Sequence, residues 1–360
     1  MRVDVLVVGA GPAGAVAALN LAPLRKVLLV DRWATPRPRV GESLPGAARR
    51  LLIDMGLWAG FLADGHAPRH AHRGAWGDAE PVERDALADP DGHGWHLDRL
   101  RFERRLRATA CARGAQLLAP ARVVRLARAS GGGWRAQLDG AGQGIEVAAA
   151  LVIDAGGRGS RLMAGEGVRR TEGDRLVCGW ARAGPGAGLP PGVTQIEAEA
   201  DGWWYAAPLP DGGGLVAFHT DADLPAARAG RAPASLIERA RRLPMLGPLL
   251  AAGAWDQTRG GYCAARGAWL EPPAGAGWIA AGDAALAFDP LAAQGLFNAL
   301  YTGLAAAEAA DRALAGDTGA LSALTGEFAA IRSAYQAHRS AWYGQETRWP
   351  QSPFWRRRRA

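Results

Sequence analysis

The N-terminal segment VDVLVVGAGPAGAVAALNLA constrains the fold of this chain more than any other stretch. Its apolar, β-branched start, Val3 to Val8, predicts a strand that is buried on both faces. A G-x-G-x-x-G pattern follows, in which the glycines allow a tight turn, close approach of a pyrophosphate and close packing of the next helix. The segment therefore predicts a strand, a turn and a helix that bind a dinucleotide. The candidate binding residues of the turn are Gly9, Gly11, Pro12, Ala13 and Gly14.

A second apolar run, KVLLVDR, ends at Asp31 and Arg32. An acidic residue roughly 20 positions after such a glycine turn holds a ribose hydroxyl in dinucleotide-binding folds. Asp31 meets that expectation, and Arg32 lies beside it. These two segments leave open whether the dinucleotide is FAD or a nicotinamide cofactor.

Two later segments each combine a buried strand with glycine and aspartate. AALVIDAGGRGSRLMA contains Asp154 and Gly156, and GWIAAGDAALAFDPLAAQG contains Gly282 and Asp283 and continues into an apolar helix. With these motifs in this order, the sequence resembles the FAD-dependent monooxygenase, halogenase and reductase superfamily. The resemblance implies FAD as the cofactor, with Asp283 against its ribityl or pyrophosphate portion. It also implies that a helix start marked by Pro290, Gly295 and Leu296 faces the pyrimidine edge of the flavin.

Two further stretches extend this resemblance. RVGESLPGAARRLL matches a Gly-Glu-Ser loop of the halogenase-like branch, which implies that Gly41, Glu42 and Ser43 border the flavin. Ser43 can equally begin the following helix as a capping residue. WHLDRLRFERRLRATACARGAQ matches a helix whose arginine contacts FAD, which implies that role for Arg99 and a backbone contact of Val123 to the adenine. We expect the other arginines of this helix to be solvated, namely Arg101, Arg104, Arg105 and Arg107.

Composition excludes several classes of protein. The 360 residues are 49% hydrophobic, and no apolar run is long enough for a membrane span or a signal peptide. Three cysteines, far apart in sequence, argue against a disulfide framework and for a reducing, cytoplasmic location. The net charge is +7, but its arginines are interleaved with acids along the chain, so we expect no nucleic-acid partner. His66, His70 and His72 lie close in sequence, but Pro68 interrupts any helix that would align them, and we expect no metal site.

Residues 170 to 225 show strand-like runs broken by Pro and Gly, followed by a helical stretch, which predicts a sheet-rich lobe over the flavin. Within it Trp203, Trp204 and Tyr205 alternate faces on a strand, so Trp203 and Tyr205 share one side. One face is expected to be core and the other to line an aromatic substrate pocket. Trp76 and His219 are further pocket candidates. A general base is not identified, although His72 and His219 are candidates.

The sequence argues against halogenation. Flavin halogenases need a lysine beside the substrate and a glutamate in the segment that here reads DPLAAQG, and the one lysine, Lys26, lies in the nucleotide half. The chain more closely resembles the flavoprotein maturases of tryptophylquinone-bearing amino-acid oxidases. That resemblance rests on DGWWYAAPLPDGGGLVAFHTDADL, GDAALAFDPLAAQGLFNALYTG and RWPQSPFWRRRR.

This resemblance implies a FAD-dependent monooxygenase that hydroxylates an electron-rich aromatic through a C4a-hydroperoxyflavin. The expected substrate is a tryptophan side chain of a partner protein or peptide. The alternatives are a reductase of alkenes or polyprenyl chains, a hydroxylase of small aromatics, a halogenase, and a flavoprotein chaperone without catalysis. Since no second G-x-G-x-x-G motif is evident, the electron donor is either NAD(P)H or an external reductant.

The expected fold class is α/β, with a Rossmann-like FAD-binding domain of the group A flavin monooxygenase type. The FAD-binding domain is expected over 1–60, 95–165 and 270–315, and an inserted β-sheet substrate lobe over 61–94 and 166–269. An amphipathic helix and a Trp/Arg-rich tail are expected over 316–360, because apolar residues recur there at helical spacing from Leu321 to Tyr335. Trp and Arg favour interface hot spots, so we expect residues 342–360 to dock on a partner protein, with a membrane surface as the alternative.

Overall fold

The computed structural model describes residues 1–140, 142–255 and 259–359. Within these ranges the strands, numbered in chain order, are β1 (Arg2–Val8), β2 (Val27–Val30), β3 (Ser43–Leu44), β4 (Ala67–Arg69), β5 (Ala71–Ala75), β6 (Val82–Asp85), β7 (Gly94–His96), β8 (Gln116–Leu118), β9 (Ala121–Arg128), β10 (Trp134–Gly140), β11 (Gln143–Asp154), β12 (Arg169–Glu172), β13 (Leu176–Ala183), β14 (Val193–Glu199), β15 (Gly202–Pro208), β16 (Gly214–Asp221), β17 (Arg259–Ala264), β18 (Ala268–Glu271), β19 (Ala274–Gly275), β20 (Trp278–Ala280) and β21 (Leu286–Ala287). The α-helices are α1 (Pro12–Leu21), α2 (Ala48–Asp54), α3 (Trp58–Ala63), α4 (Arg99–Ala112), α5 (Pro233–Ala240), α6 (Leu246–Ala252), α7 (Gly295–Leu314), α8 (Ala320–Gln345) and α9 (Pro353–Arg359).

The larger sheet is the nucleotide-binding half of an α/β fold. Its described strands run in the order β19-β20-β11-β1-β2-β8, with β10 and β9 extending from β11. The pairings of β1 with β2 and β11, of β2 with β8 and of β11 with β20 are parallel. Helix α1 is almost wholly buried, because its small residues let it pack between the sheet, α4 and α7. The strand, turn and helix predicted from the N-terminal glycine motif are confirmed.

The second sheet forms the other lobe, with its described strands in the order β17-β13-β16-β15-β14-β5-β6. All of these pairings are antiparallel except β14 with β5. The strands of the first sheet all fall within the ranges expected for the FAD-binding domain, and those of the second within the ranges expected for the substrate lobe. The boundaries themselves stay a prediction.

The C-terminal segment packs first on the nucleotide-binding lobe and then, from the end of α8 onward, on the second lobe. Helix α8 buries Leu324, Phe328, Tyr335 and Tyr343, so the amphipathic helix predicted from the sequence is confirmed. Helix α9 then packs against α8 and buries Phe354 and Trp355. The same apolar cluster includes Leu209 and Leu215 of the second lobe, so the end of the chain belongs to that lobe's core.

Across the ranges that the structure covers, none of the helices combines the length and the apolar character that crossing a membrane requires.

Candidate functional site

The three glycines of the turn after β1 face different surroundings. A Cβ at Gly14 would lie 1.8 Å from the carbonyl oxygen of Gly9, so α1 packs too closely for any side chain there. Gly9 has φ +102° and lies against Ala155. Gly11 is the N-cap residue of α1, and a Cβ there would meet no atom within 4 Å, so this glycine faces open space. That open cradle at a helix N-terminus is where a pyrophosphate fits. Pro12 and Ala13 begin the helix behind it.

Asp31 lies at the end of β2, beside the glycine turn. Its Oδ2 accepts a hydrogen bond from the Ala10 backbone N–H at 2.7 Å and lies 3.2 Å from a guanidinium nitrogen of Arg107. Arg107 also donates to the Ala10 carbonyl at 2.8 Å and is only 5% exposed. Our expectation that Arg107 is solvated is therefore wrong, because it ties α4 to the turn. Arg107 follows Arg99 and Glu103 at intervals of four residues, so all three lie on one face of α4. That spacing could have indicated that Arg107 points inward.

Arg99 connects α4 to the Gly41–Ser43 loop. Its guanidinium donates to the Gly41 carbonyl and to Glu103 Oε1. Glu42 is 2% exposed, and burial raises the pKa of its carboxyl group against the opposing effects of Arg99 and the Gly41 N–H. Ser43 lies in β3 and its buried Oγ has no partner among the described residues. The alternative in which Ser43 caps the next helix is wrong, since α2 follows Ala47.

The aspartates of the two later glycine-aspartate segments, Asp154 and Asp283, differ in accessibility. Asp154 is 2% exposed, and its carboxylate accepts hydrogen bonds from the Gly156 N–H and from Ser160. It therefore holds its own loop in place. The Asp283 side chain is 34% exposed, lies 3.4 Å from Arg158 and follows Gly282 next to Ala13 of α1. Asp283 is thus the aspartate whose carboxylate remains open to a ligand.

The start of α7 completes this side of the site. Pro290 begins a short 3-10 turn, and α7 then runs from Gly295, where a Cβ would meet no atom within 4 Å. Leu296 is buried beneath it, and α7 contacts β3 of the Gly41–Ser43 loop. The first N–H groups of this 20-residue helix have no partners within the helix and carry its positive dipole end.

We expect the adenine of the cofactor to lie beyond Asp31. The Asp31 carbonyl accepts a hydrogen bond from the N–H of Ala121 at the start of β9, and Val123 follows two residues later, half-buried. Arg32 is exposed and lies over the Trp33 ring. The structure thus brings Val123 towards Asp31, whereas Arg32 faces solvent.

Loop 289–295 is anchored by the end of the chain, an arrangement that no sequence pattern indicates. Asp289 is 1% exposed; its N–H donates to the Tyr335 hydroxyl, and its Oδ2 accepts from the Tyr343 hydroxyl at 2.7 Å. The Trp203 indole N–H in turn donates to the Tyr343 hydroxyl at 3.1 Å. Burial, followed by the nearby Asp174, raises the pKa of Asp289. One buried hydrogen-bond chain therefore joins the flavin-side loop, the tail and the substrate lobe.

The predicted pocket residues of β15 do face two sides. Trp203 and Tyr205 pack in the cluster that contains Val40 and Leu291, whereas Trp204 packs on the opposite side. Trp203 stacks on His219 with ring centroids 3.7 Å apart, and burial lowers the pKa of His219 to about 3. The His219 ring is therefore neutral, and its Nδ1 has no partner among the described residues.

Tyr205 adds a polar group on the same side of the sheet. Its hydroxyl is buried without a hydrogen-bond partner in the described chain, and the charges that act on it are those of Glu42 and Arg69. Sequence reasoning assigned Glu42 to the cofactor and Tyr205 to the substrate without relating them. The structure brings the two together where the substrate lobe meets the Gly41–Ser43 loop.

Two expectations about aromatic residues need correction. Trp204 is fully buried and stacks on Phe218 in the core, so it has no face for a substrate. The tail does not present its four large aromatics, Trp342, Trp349, Phe354 and Trp355, for docking, because Phe354 and Trp355 are fully buried by the chain itself. Of the four, Trp342 is the exposed one, at 39%. An aromatic tail closed by its own lobe needs no partner to cover it.

The buried rings of the tail pack against Trp203 and Trp76 of the second lobe. We call these rings together the tail cluster. Trp76 lies 5.3 Å from Trp355 and 6.5 Å from Trp203, measured between ring centroids, and its indole N–H donates to the Trp342 carbonyl. The members of the tail cluster are Trp76, Trp203, Tyr343, Phe354 and Trp355. Trp76 therefore packs against the other rings of this cluster.

The three clustered histidines separate in the fold. His66 accepts from the Asp98 N–H, His70 packs on His93, and His72 lies against Arg69. Within the described ranges no group of His, Cys, Asp and Glu is arranged to hold a metal ion.

The residues present fit FAD. The Gly11 cradle, Asp31, the Asp283 carboxylate and the start of α7 follow one another along the ends of β1, β2 and β20, where ligands bind in open parallel sheets. Arg107 and Arg99 hold α4 against the two glycine loops. The buried Ser43 hydroxyl without a partner borders the same region.

Comparison with known proteins agrees with this site. Residues 2–230 match the family model described as FAD binding domain. The chain is 27% identical to the FAD-dependent oxidoreductase LodB of Marinomonas mediterranea over 99% of this chain and 97% of that protein. It is 30% identical to a menaquinone reductase of Mycolicibacterium smegmatis over 85% of this chain and 76% of that protein.

A solved structure is also similar. The peptidyl tryptophan dihydroxylase QhpG, essential for tryptophylquinone cofactor biogenesis, is 26% identical with a TM-score of 0.81. The alignment covers 100% of this chain and 79% of QhpG.

Proposed function

Because the chain belongs to the FAD binding domain family and is a FAD-dependent oxidoreductase, we propose that it is a monooxygenase that hydroxylates a tryptophan side chain of a partner protein or peptide. Bound FAD, once reduced, supplies the activation of dioxygen. The observation that carries the proposal is the polar and aromatic face of the substrate sheet next to the Gly41–Ser43 loop. There Tyr205 presents a buried hydroxyl without a partner in the described chain, beside Glu42.

The residues of this face suit an indole more than a hydrocarbon chain. A buried hydroxyl without a partner costs about 1–3 kcal/mol, and a ligand that hydrogen-bonds to it recovers that energy. An indole N–H can donate to the Tyr205 oxygen while its rings lie against apolar side chains. A polyprenyl chain offers Tyr205 no such partner, so this arrangement disfavours the reductase alternative.

The two buried titratable groups on this face, His219 and Glu42, favour their uncharged forms. Burial keeps His219 uncharged, with its pKa lowered to about 3, so its Nδ1 is available to accept a hydrogen bond from a substrate but does not act as a base near neutral pH. Its ring is held by the stack on Trp203 and by a hydrogen bond to the Trp203 backbone. Burial also raises the pKa of Glu42, which favours its protonated form as a hydrogen-bond donor.

One comparison supports the substrate class. QhpG, a dihydroxylase of peptidyl tryptophan, aligns with the whole chain. Halogenation is disfavoured, since Lys26 is exposed at the start of β2 and residues 291–294 carry no carboxylate.

The test is label incorporation from dioxygen. The FAD-loaded protein is reduced without oxygen and mixed with isotopically labelled dioxygen and tryptophan-containing peptides, and the products are analysed by mass spectrometry. We expect one labelled oxygen atom per hydroxylation on tryptophan peptides and none on the same peptides with leucine in its place. Reduction of a polyprenyl quinone without any labelled aromatic product would instead establish the reductase.

A matched pair of variants tests the role of Tyr205. We expect Tyr205→Phe to lower product per dioxygen by about tenfold, equivalent to about 1.4 kcal/mol, while FAD binding is unchanged. Tyr301→Phe is the control, because Tyr301 lies on α7 and hydrogen-bonds Glu327. Equal yields from the two variants would remove the observation on which the proposal rests.

A further inference from the structure

Cys178 and Cys263 lie opposite each other in the substrate sheet. Antiparallel pairing of β13 and β17 matches Cys178 with Cys263, between the pairs Val177–Ala264 and Gly179–Tyr262. Directly opposite residues in antiparallel strands have Cα atoms about 4.5 or 5.5 Å apart, and both spacings fall within the range of about 4.4–6.8 Å seen in disulfides. The two thiols hydrogen-bond each other. The strand register therefore places two residues far apart in sequence at the Cα spacing that a cross-strand disulfide requires.

The two thiols have different surroundings. Cys178 is 1% exposed, whereas Cys263 is exposed on the edge strand. The hydrogen bond between them, together with burial, raises the pKa of Cys178. The same hydrogen bond and the nearby Arg158 and Arg39 lower the pKa of Cys263. Cys263 is therefore the nucleophile of the pair, and Cys178 is placed to resolve an oxidised Cys263.

The pair faces the candidate FAD site. Glu42 and Arg158 act electrostatically on Cys178, and Arg158, Arg39 and Asp283 act on Cys263. These groups belong to the Gly41–Ser43 loop and to the two glycine-aspartate segments that line the proposed FAD site. On the strand next to β13, His219 is the residue opposite Cys178. The thiol pair therefore lies close to the groups that line the candidate FAD site.

We propose that Cys178 and Cys263 form a reversible disulfide, with hydrogen peroxide as the oxidant. The Cys263 thiolate attacks one peroxide oxygen, the O–O bond breaks, and the departing hydroxide becomes water by taking a proton. The Cys178 sulfur then attacks the resulting sulfenic acid, the S–O bond breaks, and the second hydroxide leaves as water with the Cys178 proton. Two thiols lose two electrons and one peroxide becomes two waters. An external dithiol reverses the reaction.

The source of the peroxide within the cell rests on the proposed function, since oxygen-activating flavoproteins release peroxide when no substrate is hydroxylated. The disulfide does not rest on it. Adding peroxide directly therefore tests the thiol pair without any substrate or electron donor, and the two proposals can fail separately.

The experiment uses the FAD-loaded full chain and one equivalent of hydrogen peroxide. After acid quenching, free thiols are alkylated and the peptides are mapped by mass spectrometry. We expect a linked Cys178–Cys263 peptide that dithiothreitol reverses, while Cys111 stays alkylated. We also expect Cys263 to lose its free thiol about tenfold faster than Cys111, because its thiolate fraction is higher. Cys111 is the internal control, as an exposed thiol on α4.

Variants separate the roles of the two thiols. In Cys178→Ser we expect a sulfenic acid at Cys263 that dimedone traps, and in Cys263→Ser we expect Cys178 to remain reduced. Cys111→Ser should behave as wild type, and bound FAD absorbance checks that each variant is folded. Full alkylation of both Cys178 and Cys263 after peroxide, or linkage of either one to Cys111 in comparable yield, would overturn the proposal.

Discussion

Single atoms decide what each glycine of the N-terminal turn does. Gly11 has φ −71° at the N-cap of α1 and open space where a Cβ would point, whereas a Cβ at Gly14 would collide with the Gly9 carbonyl. Gly11→Ala should therefore leave the cofactor-free protein about as stable as wild type, within roughly 0.5 kcal/mol. It should weaken FAD binding by about tenfold or more, because the methyl group enters the pyrophosphate cradle.

FAD fluorescence titration and urea unfolding check this prediction. Gly14→Ala is the contrasting variant, since its clash with backbone must distort α1 and lower the free energy of unfolding. If Gly11→Ala binds FAD as wild type does, the pyrophosphate does not lie at Gly11.

A buried neutral histidine makes the free energy of unfolding depend on pH in a way that can be calculated. His96 is fully buried, its Nε2 lies 2.8 Å from the Thr194 hydroxyl, and burial, then Arg69, lowers its pKa to about 3. The unfolded chain binds a proton at this residue below pH ~6.5, whereas the folded chain does so only near pH ~3. The contribution of His96 to stability is therefore complete above the upper value and falls as pH drops through this window.

His96→Gln isolates this contribution. The difference in unfolding free energy between wild type and variant should shrink by about 1.4 kcal/mol for each pH unit below pH ~6.5. Urea unfolding at a series of pH values measures it. A difference that stays constant between pH ~7 and ~5 would mean that His96 binds its proton equally well in the folded and the unfolded protein, so its pKa is not lowered by folding.

At the scale of elements, helix α9 is locked by a buried ion pair. Arg358 and Asp221 side chains are each 1% exposed and lie 2.7 Å apart, with the more exposed Arg357 also bonded to Asp221. Arg358→Ala leaves the buried Asp221 carboxylate with Arg357 as its remaining ion-pair partner among the described residues. We therefore expect the free energy of unfolding to fall by about 3–5 kcal/mol, towards the lower value. The tail beyond α8 should also become sensitive to proteases. Urea unfolding and limited proteolysis provide the measurements, with the exposed Arg356→Ala as the matched control.

The sequence predicts elements well where one segment contains the whole pattern. The strand and glycine turn at β1 and the apolar periodicity of α8 are local, and both are confirmed. The buried position of Arg107 is not predictable in this way, because a basic helix looks the same in sequence whether one arginine is solvated or points into a turn 97 residues away. The meeting of Cys178 with Cys263 depends on which strands pair, which no local pattern specifies. The aromatic tail indicates that something covers it, but not that its own lobe does so.

At the scale of the whole molecule, the hydrogen-bond chain from Asp289 through Tyr343 to Trp203 couples the two lobes. Tyr343→Phe removes a donor to Asp289 and an acceptor for Trp203, all of them buried, so we expect a loss of about 1–3 kcal/mol in unfolding free energy. FAD affinity should fall as well, although Tyr343 lies outside the FAD-binding sheet, because loop 289–295 loses an anchor.

Thermal unfolding followed by both FAD fluorescence and tryptophan fluorescence checks this coupling. In wild type, free FAD at 100 times its dissociation constant should stabilise the fold by about 2.7 kcal/mol by both probes. Tyr301→Phe should keep that agreement. Two separate transitions in wild type would show that the lobes unfold independently.

The anchoring of Asp289 by Tyr335 and Tyr343 also sets an order of events during protein synthesis. The glycine turn precedes both tyrosines in the chain and therefore leaves the ribosome before them, and N-terminal units generally fold first during translation. The tyrosines that fix loop 289–295, and the arginine that holds α9, emerge long after the glycine turn. A nascent chain can therefore offer the phosphate end of its cofactor site while the ring end is still unfinished. Complete closure around FAD therefore has to wait until Tyr343 has emerged, and a chain that stops before Tyr343 would be unable to anchor loop 289–295 beside its cofactor.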